Sequence, residues 1–101
     1  MKLYIAGPIT GVDNHQVNFD KAATTLVERG FEVANPCWLD DQGAACGWGW
    51  EDYMKATLTM MLACDGVALI EGWERSKGAA LEIQVANGVG MPVHDVTAWL
   101  S

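Results

Sequence analysis

Four short strand-like runs, residues 2–6, 31–35, 66–70 and 91–94, alternate with stretches whose apolar residues recur at helical spacing. This alternation restricts the fold more than any other feature, because a strand followed by an amphipathic helix and a second strand implies a parallel pair joined by a crossover. Residues 14–29 read as the first helix, with Val17, Phe19, Ala23, Leu26 and Val27 near helical spacing and Gly30 as its stop. Residues 51–64 read as the second, directing Tyr53, Met54, Thr57, Leu58, Met61 and Leu62 to the core, and residues 76–87 as the third. The expectation is one α/β domain over residues 1–101 with a parallel sheet of about four strands.

Ligands of such sheets sit beyond the carboxyl ends of the strands. The loops 7–13, 36–50 and 71–76 are therefore expected to converge there. The stretch Cys37–Trp50, with Gly43, Gly47 and Gly49, reads as a long loop, and a loop of that length in so small a chain is more often functional than idle.

The first loop lacks both the GxGxxG spacing of dinucleotide folds and the GxxxxGK[ST] of a P-loop, and Pro8 removes an amide that a phosphate cradle would use. Gly7 and Pro8 offer instead a slim, rigid bend against which a flat ligand could lie, or simply a strand-to-loop turn. The third helix says more. Ser76 stands at its N-cap position, with the amides of Lys77, Gly78 and Ala79 next in line for an anion or a sugar hydroxyl. At helical spacing Lys77, Gln84, Asn87 and Gly88 share one side, and Gly78, Ala79, Glu82, Val85 and Ala86 the other. Glu82 thus falls on the apolar face. A dry, unpaired carboxylate there would cost several kcal/mol, so it needs a partner, a cleft or a raised pKa. It is either a catalytic acid over a shelf of small residues or a buried glutamate satisfied by a tyrosine or a backbone amide.

Trp38, Trp48, Trp50 and Tyr53 cluster in or beside the long loop. They could stack a base, form a local core or build a subunit interface. His15 and His94 stand alone, and no His, Cys or carboxylate set has metal spacing, so neither a metal nor a cofactor is expected. Cys37, Cys46 and Cys64 lack CxxC spacing and read as reduced thiols, mostly in the core.

Charge removes one class of partner. Thirteen acidic against six basic residues give a net charge of −7, which opposes binding to a nucleic-acid polymer. No apolar run approaches the ~18 residues of a membrane span, so a soluble, cytoplasmic protein without a membrane partner is expected. A 101-residue chain builds one modest core, and a larger site would borrow surface from a second copy.

The segments YIAGPITG, Asn35-Pro36 and CDGVALIEGWERSKGAALEIQVA (residues 64–86) together resemble the nucleoside 2-deoxyribosyltransferase-like superfamily, especially its small standalone members of undefined role. The most specific part is GW-x-x-S-x-G-A-x-x-E: Gly72, Trp73, Ser76, Gly78, Ala79 and Glu82. The resemblance implies a flavodoxin-like, Rossmann-like three-layer sandwich, with Glu82 attacking the anomeric carbon of a (deoxy)ribosyl group to form a glycosyl-enzyme. It implies that Tyr4 orients Glu82, that the segment Tyr4–Pro8 lines the sugar and base site, and that Ser76 helps hold a 5′-phosphate. Gly7, Pro8, Thr10, Asn35, Thr57, Trp73, Gly78 and Ala79 are the further residues expected around the substrate, and a homo-oligomer is the expected assembly.

One position departs from the pattern. Many relatives carry an aspartate eight positions before the one that corresponds to Asp65, and this chain has Thr57. A threonine cannot protonate a leaving base as an acid near neutral pH, which leaves Asp13 or Asp40 to do so, or a slow or silent site. The resemblance therefore implies either an N-glycosidic hydrolase or transferase acting on a (deoxy)nucleoside or its 5′-monophosphate, or a nucleotide-binding protein that has lost turnover.

Overall fold

The computed structural model describes residues 1–101. The chain runs through β1 (Lys2–Ala6), α1 (His15–Glu28), β2 (Glu32–Ala34), α2 (Asp40–Cys46), α3 (Trp50–Leu62), β3 (Gly66–Leu69), α4 (Lys77–Gly88), β4 (Val93–Asp95) and α5 (Val96–Leu100), with 3-10 turns at Pro36–Leu39 and Trp73–Arg75. The strands form one sheet in the order β2-β1-β3-β4, every pair parallel. This is the α/β architecture that the alternation implies, and it is consistent with a flavodoxin-like or Rossmann-like fold.

Burial on both faces explains why β1 reads as a continuous apolar run. Its alternate side chains enter two separate cores. Leu3 and Ile5 pack with Phe19, Ala22 and Leu26 of α1, while Tyr4 and Ala6 pack with Met61 of α3 and with Ala79 and Ala86 of α4. Helices therefore cover the sheet on both sides, making three layers. Full burial of side chains such as Phe19 and Leu26 stabilises by roughly 1.5–3 kcal/mol each. Val17, Val27 and Leu62, expected on core faces, are instead more than half exposed and contribute little of this.

Two segments differ from expectation. Residues 37–50 are not one loop, since the 3-10 turn and α2 occupy most of them. The misleading signal is Gly43, which sits inside α2 where a Cβ would run into the Tyr53 ring, so the glycine permits close packing rather than marking a loop. The second is α5, too short to show a period. It is held from outside: Trp99 Nε1 donates to the Val67 carbonyl at 2.9 Å, and its ring lies where a Cβ on Gly66 would approach to 3.0 Å. Of the three free thiols only Cys64 is buried; Cys37 is half-buried and Cys46 exposed. No helix is long and apolar enough to cross a membrane.

Candidate functional site

A cleft of about 720 Å³ opens at the carboxyl end of β1, between the start of α1 on one side and the first turns of α3 and α4 on the other. The volume falls within the range of pockets that enclose small molecules. Tyr4, Gly7, Pro8 and Thr10 line it from β1 and its loop, Thr57 from α3, and Ser76, Gly78, Ala79 and Glu82 from α4. Nine of the residues expected from the sequence are thereby brought together.

Glu82 is 5% exposed, and its Oε2 accepts a hydrogen bond from the Tyr4 hydroxyl. Burial pushes its carboxyl up from 4.5 to about 7, although the hydrogen bonds from Tyr4 and Thr57 oppose that rise. The Tyr4 hydroxyl is pushed well above 10, first by burial and then by the neighbouring carboxylate. Tyrosine therefore stays protonated and donates the hydrogen bond, which the Glu82 oxygen accepts. The Thr57 hydroxyl, buried beside the pair, has one proton to give. It donates to the Met54 carbonyl at 3.3 Å and lies close enough to Glu82 to lower the pKa of its carboxyl.

Small residues set the walls, though not all for the expected reason. A Cβ on Gly7 would strike the Ile70 side chain, so the bare backbone there makes room for the protein's own isoleucine rather than for a ligand. On Gly78 a Cβ would stand 3.2 Å from Met54 Sδ, so this glycine lets α3 approach α4. Gly72, at φ 90°, lies where a Cβ would meet Pro8 Cγ at 3.2 Å, and this contact joins the loops that follow β1 and β3.

At the start of α4, the Ser76 side chain accepts the Ala79 amide at 3.1 Å, a true N-cap. Of the three amides expected to be free, Ala79's is thus taken. Arg75 and Lys77 flank the same helix start and line the cleft, adding two cations where the helix dipole already favours an anion. Helical spacing sets Lys77 on the side of α4 opposite Glu82, yet its ammonium reaches over the Trp50 ring, 4.3 Å from the centroid. Trp48, Trp50 and Tyr53 line the cleft, Trp48 and Tyr53 packing edge to face at 5.3 Å, whereas Trp38 is 62% exposed and lies outside it.

Two expected substrate residues do not line the cleft. Asn35 is buried and engaged at both ends of its amide, its Nδ2 donating to Asp20 Oδ1 at 3.0 Å and its Oδ1 accepting the Cys37 amide at 3.0 Å. Trp73 packs against the core beneath α3 and α4 and lines a separate hollow beyond Pro8. Nor does Asp13 line it, whereas Asp40 does.

His15 is not isolated. Its Nε2 lies 3.0 Å from Asp40 Oδ2, which also accepts from Gln16 Nε2 at 3.1 Å, and the donor atoms of His15, Cys37 and Asp40 all lie within 4.8 Å of one another. Cys37 and Asp40 stand three residues apart, but His15 lies 22 residues before Cys37, so the grouping of all three emerges only from the fold. Burial and the carboxylates of Asp40 and Asp20 push the Cys37 thiol up to about 12.

A family model described as "Domain of unknown function (DUF4406)" matches residues 1–95, and the chain belongs to that family. No curated protein and no solved structure matches it.

Proposed function

We propose that this chain cleaves or transfers the N-glycosidic bond of a (deoxy)nucleoside or nucleoside 5′-monophosphate, with Glu82 as nucleophile. The observation that carries the reading is a carboxyl group buried at the floor of a nucleotide-sized cleft, held on one oxygen by Tyr4, with a pKa of about 7. Buried carboxyls so placed are characteristic of sites that use them chemically. The sequence resemblance to nucleoside 2-deoxyribosyltransferase-like proteins supports the same assignment.

Tyr4 occupies Oε2 and leaves Oε1 to attack C1′. As the C1′–O bond forms, the C1′–N bond breaks, and its electron pair leaves with the base, which takes up a proton. Water or an incoming base then attacks C1′ from the vacated face, releasing the carboxylate with net retention of configuration. Near neutral pH a large fraction of Glu82 is the required anion, whereas a lower pKa would give a weaker nucleophile. The Lys77 and Gly78 amides, the Ser76 hydroxyl and the cations of Arg75 and Lys77 suit a 5′-phosphate, and the Trp48, Trp50 and Tyr53 rings suit a base.

Thr57 favours a second reading. It stands beside the Tyr4–Glu82 pair with a hydroxyl where an acid could protonate the departing base, so the cleft could hold a nucleotide without turning it over. Release of free base from a panel of deoxynucleosides and their 5′-monophosphates separates the two. Release that Glu82→Ala abolishes supports the glycosidase; release that survives the substitution overturns the nucleophile assignment. Tight nucleotide binding without release selects the second reading.

A further inference from the structure

We propose that His15, Cys37 and Asp40 form a binding site for a Zn2+-class divalent cation on the α1 wall of the cleft. The three side chains come from the first residue of α1, the 3-10 turn after β2 and the first residue of α2, and each offers one donor atom within 4.8 Å of the other two. Tetrahedral bonds of about 2.0–2.3 Å place ligand atoms roughly 3.3–3.8 Å apart, so closure on an ion needs shifts of about 1 Å. An imidazole nitrogen, a thiolate sulfur and a carboxylate oxygen form a set that suits Zn2+; Mg2+ and Ca2+ prefer oxygen alone.

The surroundings fit a cation. Asp20, whose Oδ1 accepts from Asn35 Nδ2 at 3.0 Å, adds a second carboxylate near Cys37, the residue whose amide donates to the same asparagine. Binding exchanges the His15–Asp40 hydrogen bond for two bonds to the ion and displaces the thiol proton to solvent. Outer contacts fix two of the ligands: the Cys37 amide donates to Asn35 Oδ1, Asn35 is anchored on Asp20, and Gln16 holds Asp40. Asn35 thereby becomes a positioning residue. His15 and Asp40 line the cleft and Cys37 lies behind them, so three protein ligands leave the fourth position directed to the cleft, for water or a bound molecule.

The test is direct metal binding by the full chain, stripped with a chelator and dialysed against micromolar zinc, with excess Mg2+ present. The expected result is equimolar zinc and, with Co2+, thiolate charge-transfer absorption together with tetrahedral d–d bands. Cys37→Ser removes the charge-transfer band, His15→Ala weakens zinc roughly a hundredfold or more, and Cys46→Ser changes neither. Thermal unfolding establishes that each variant is folded. Failure of the wild-type chain to take up zinc, or a folded Cys37→Ser protein that keeps the band, overturns the site. Glycosidic activity plays no part in the readout, so this result stands apart from the fate of the proposed reaction.

Discussion

The Tyr4 hydroxyl donates to Oε2 of Glu82, tying the middle of β1 to the middle of α4 across 78 residues of chain. Both groups are buried, and the bond satisfies the one carboxylate on the inner face of α4. Its energetic character is mixed. The hydrogen bond stabilises the ionised form of Glu82, but burial outweighs it and leaves the carboxyl easier to protonate than in water.

Stability should therefore depend on pH through this residue. Between 4.5 and about 7 the folded protein keeps a proton on Glu82 that the unfolded chain has lost, so stability falls as pH rises through this window. Below the window both states are protonated, and above it both are ionised with the full penalty in place. At about 1.4 kcal/mol per unit the loss totals about 3 kcal/mol. Urea unfolding near pH 5 and near pH 8 should show this decline in the wild type and a much flatter response in Glu82→Gln. An unchanged slope in the variant would assign the effect to another group.

Tyr4→Phe removes a donor that holds the Glu82 pKa down. The acid limb of base release against pH should move to higher pH, with activity at neutrality reduced roughly tenfold. A pH–rate profile identical to that of the wild type would show that Tyr4 does not tune the carboxyl.

Thr57→Asp places a second carboxyl beside the Tyr4–Glu82 pair. We expect base release to rise about 10²-fold, the lower range of general acid catalysis, together with a fall in melting temperature from the added buried charge. Rates that do not rise in a folded variant would show that Thr57 is not what limits proton delivery.

Ser76→Ala removes the oxygen that accepts the Ala79 amide. The lost cap should cost about 1 kcal/mol, which is about 4–8 °C in a chain of this size. KM should rise for nucleoside 5′-monophosphates and stay unchanged for free nucleosides. An equal rise for both would place the phosphate elsewhere.

The sheet, the cap and the inward position of Glu82 were legible because each rests on local pattern: a buried strand, a serine before a helix, a period of 3.6. Asn35 and Trp73 were misplaced because a motif position names a residue without saying where its side chain goes; one is spent on Asp20 and the Cys37 amide, the other on the core. α2 was hidden by Gly43, whose packing partner Tyr53 lies on another helix. The joining of His15 to Cys37 and Asp40 left no trace in the sequence, since it takes the β1–β2 pairing and the turn after it to bring those segments together.

The strand order also governs when this protein can fold. β1, the earliest strand in the chain, lies between β2 and β3, and its pairing with β3 joins Leu3 to Gly66. Contacts so distant in sequence close slowly, because a long loop must be ordered before they repay the cost. A nascent chain would carry its central strand unpaired on one edge until about two-thirds of the protein had been synthesised, and Glu82 would reach Tyr4 later still. The floor of the cleft thus cannot close before α4 has been synthesised.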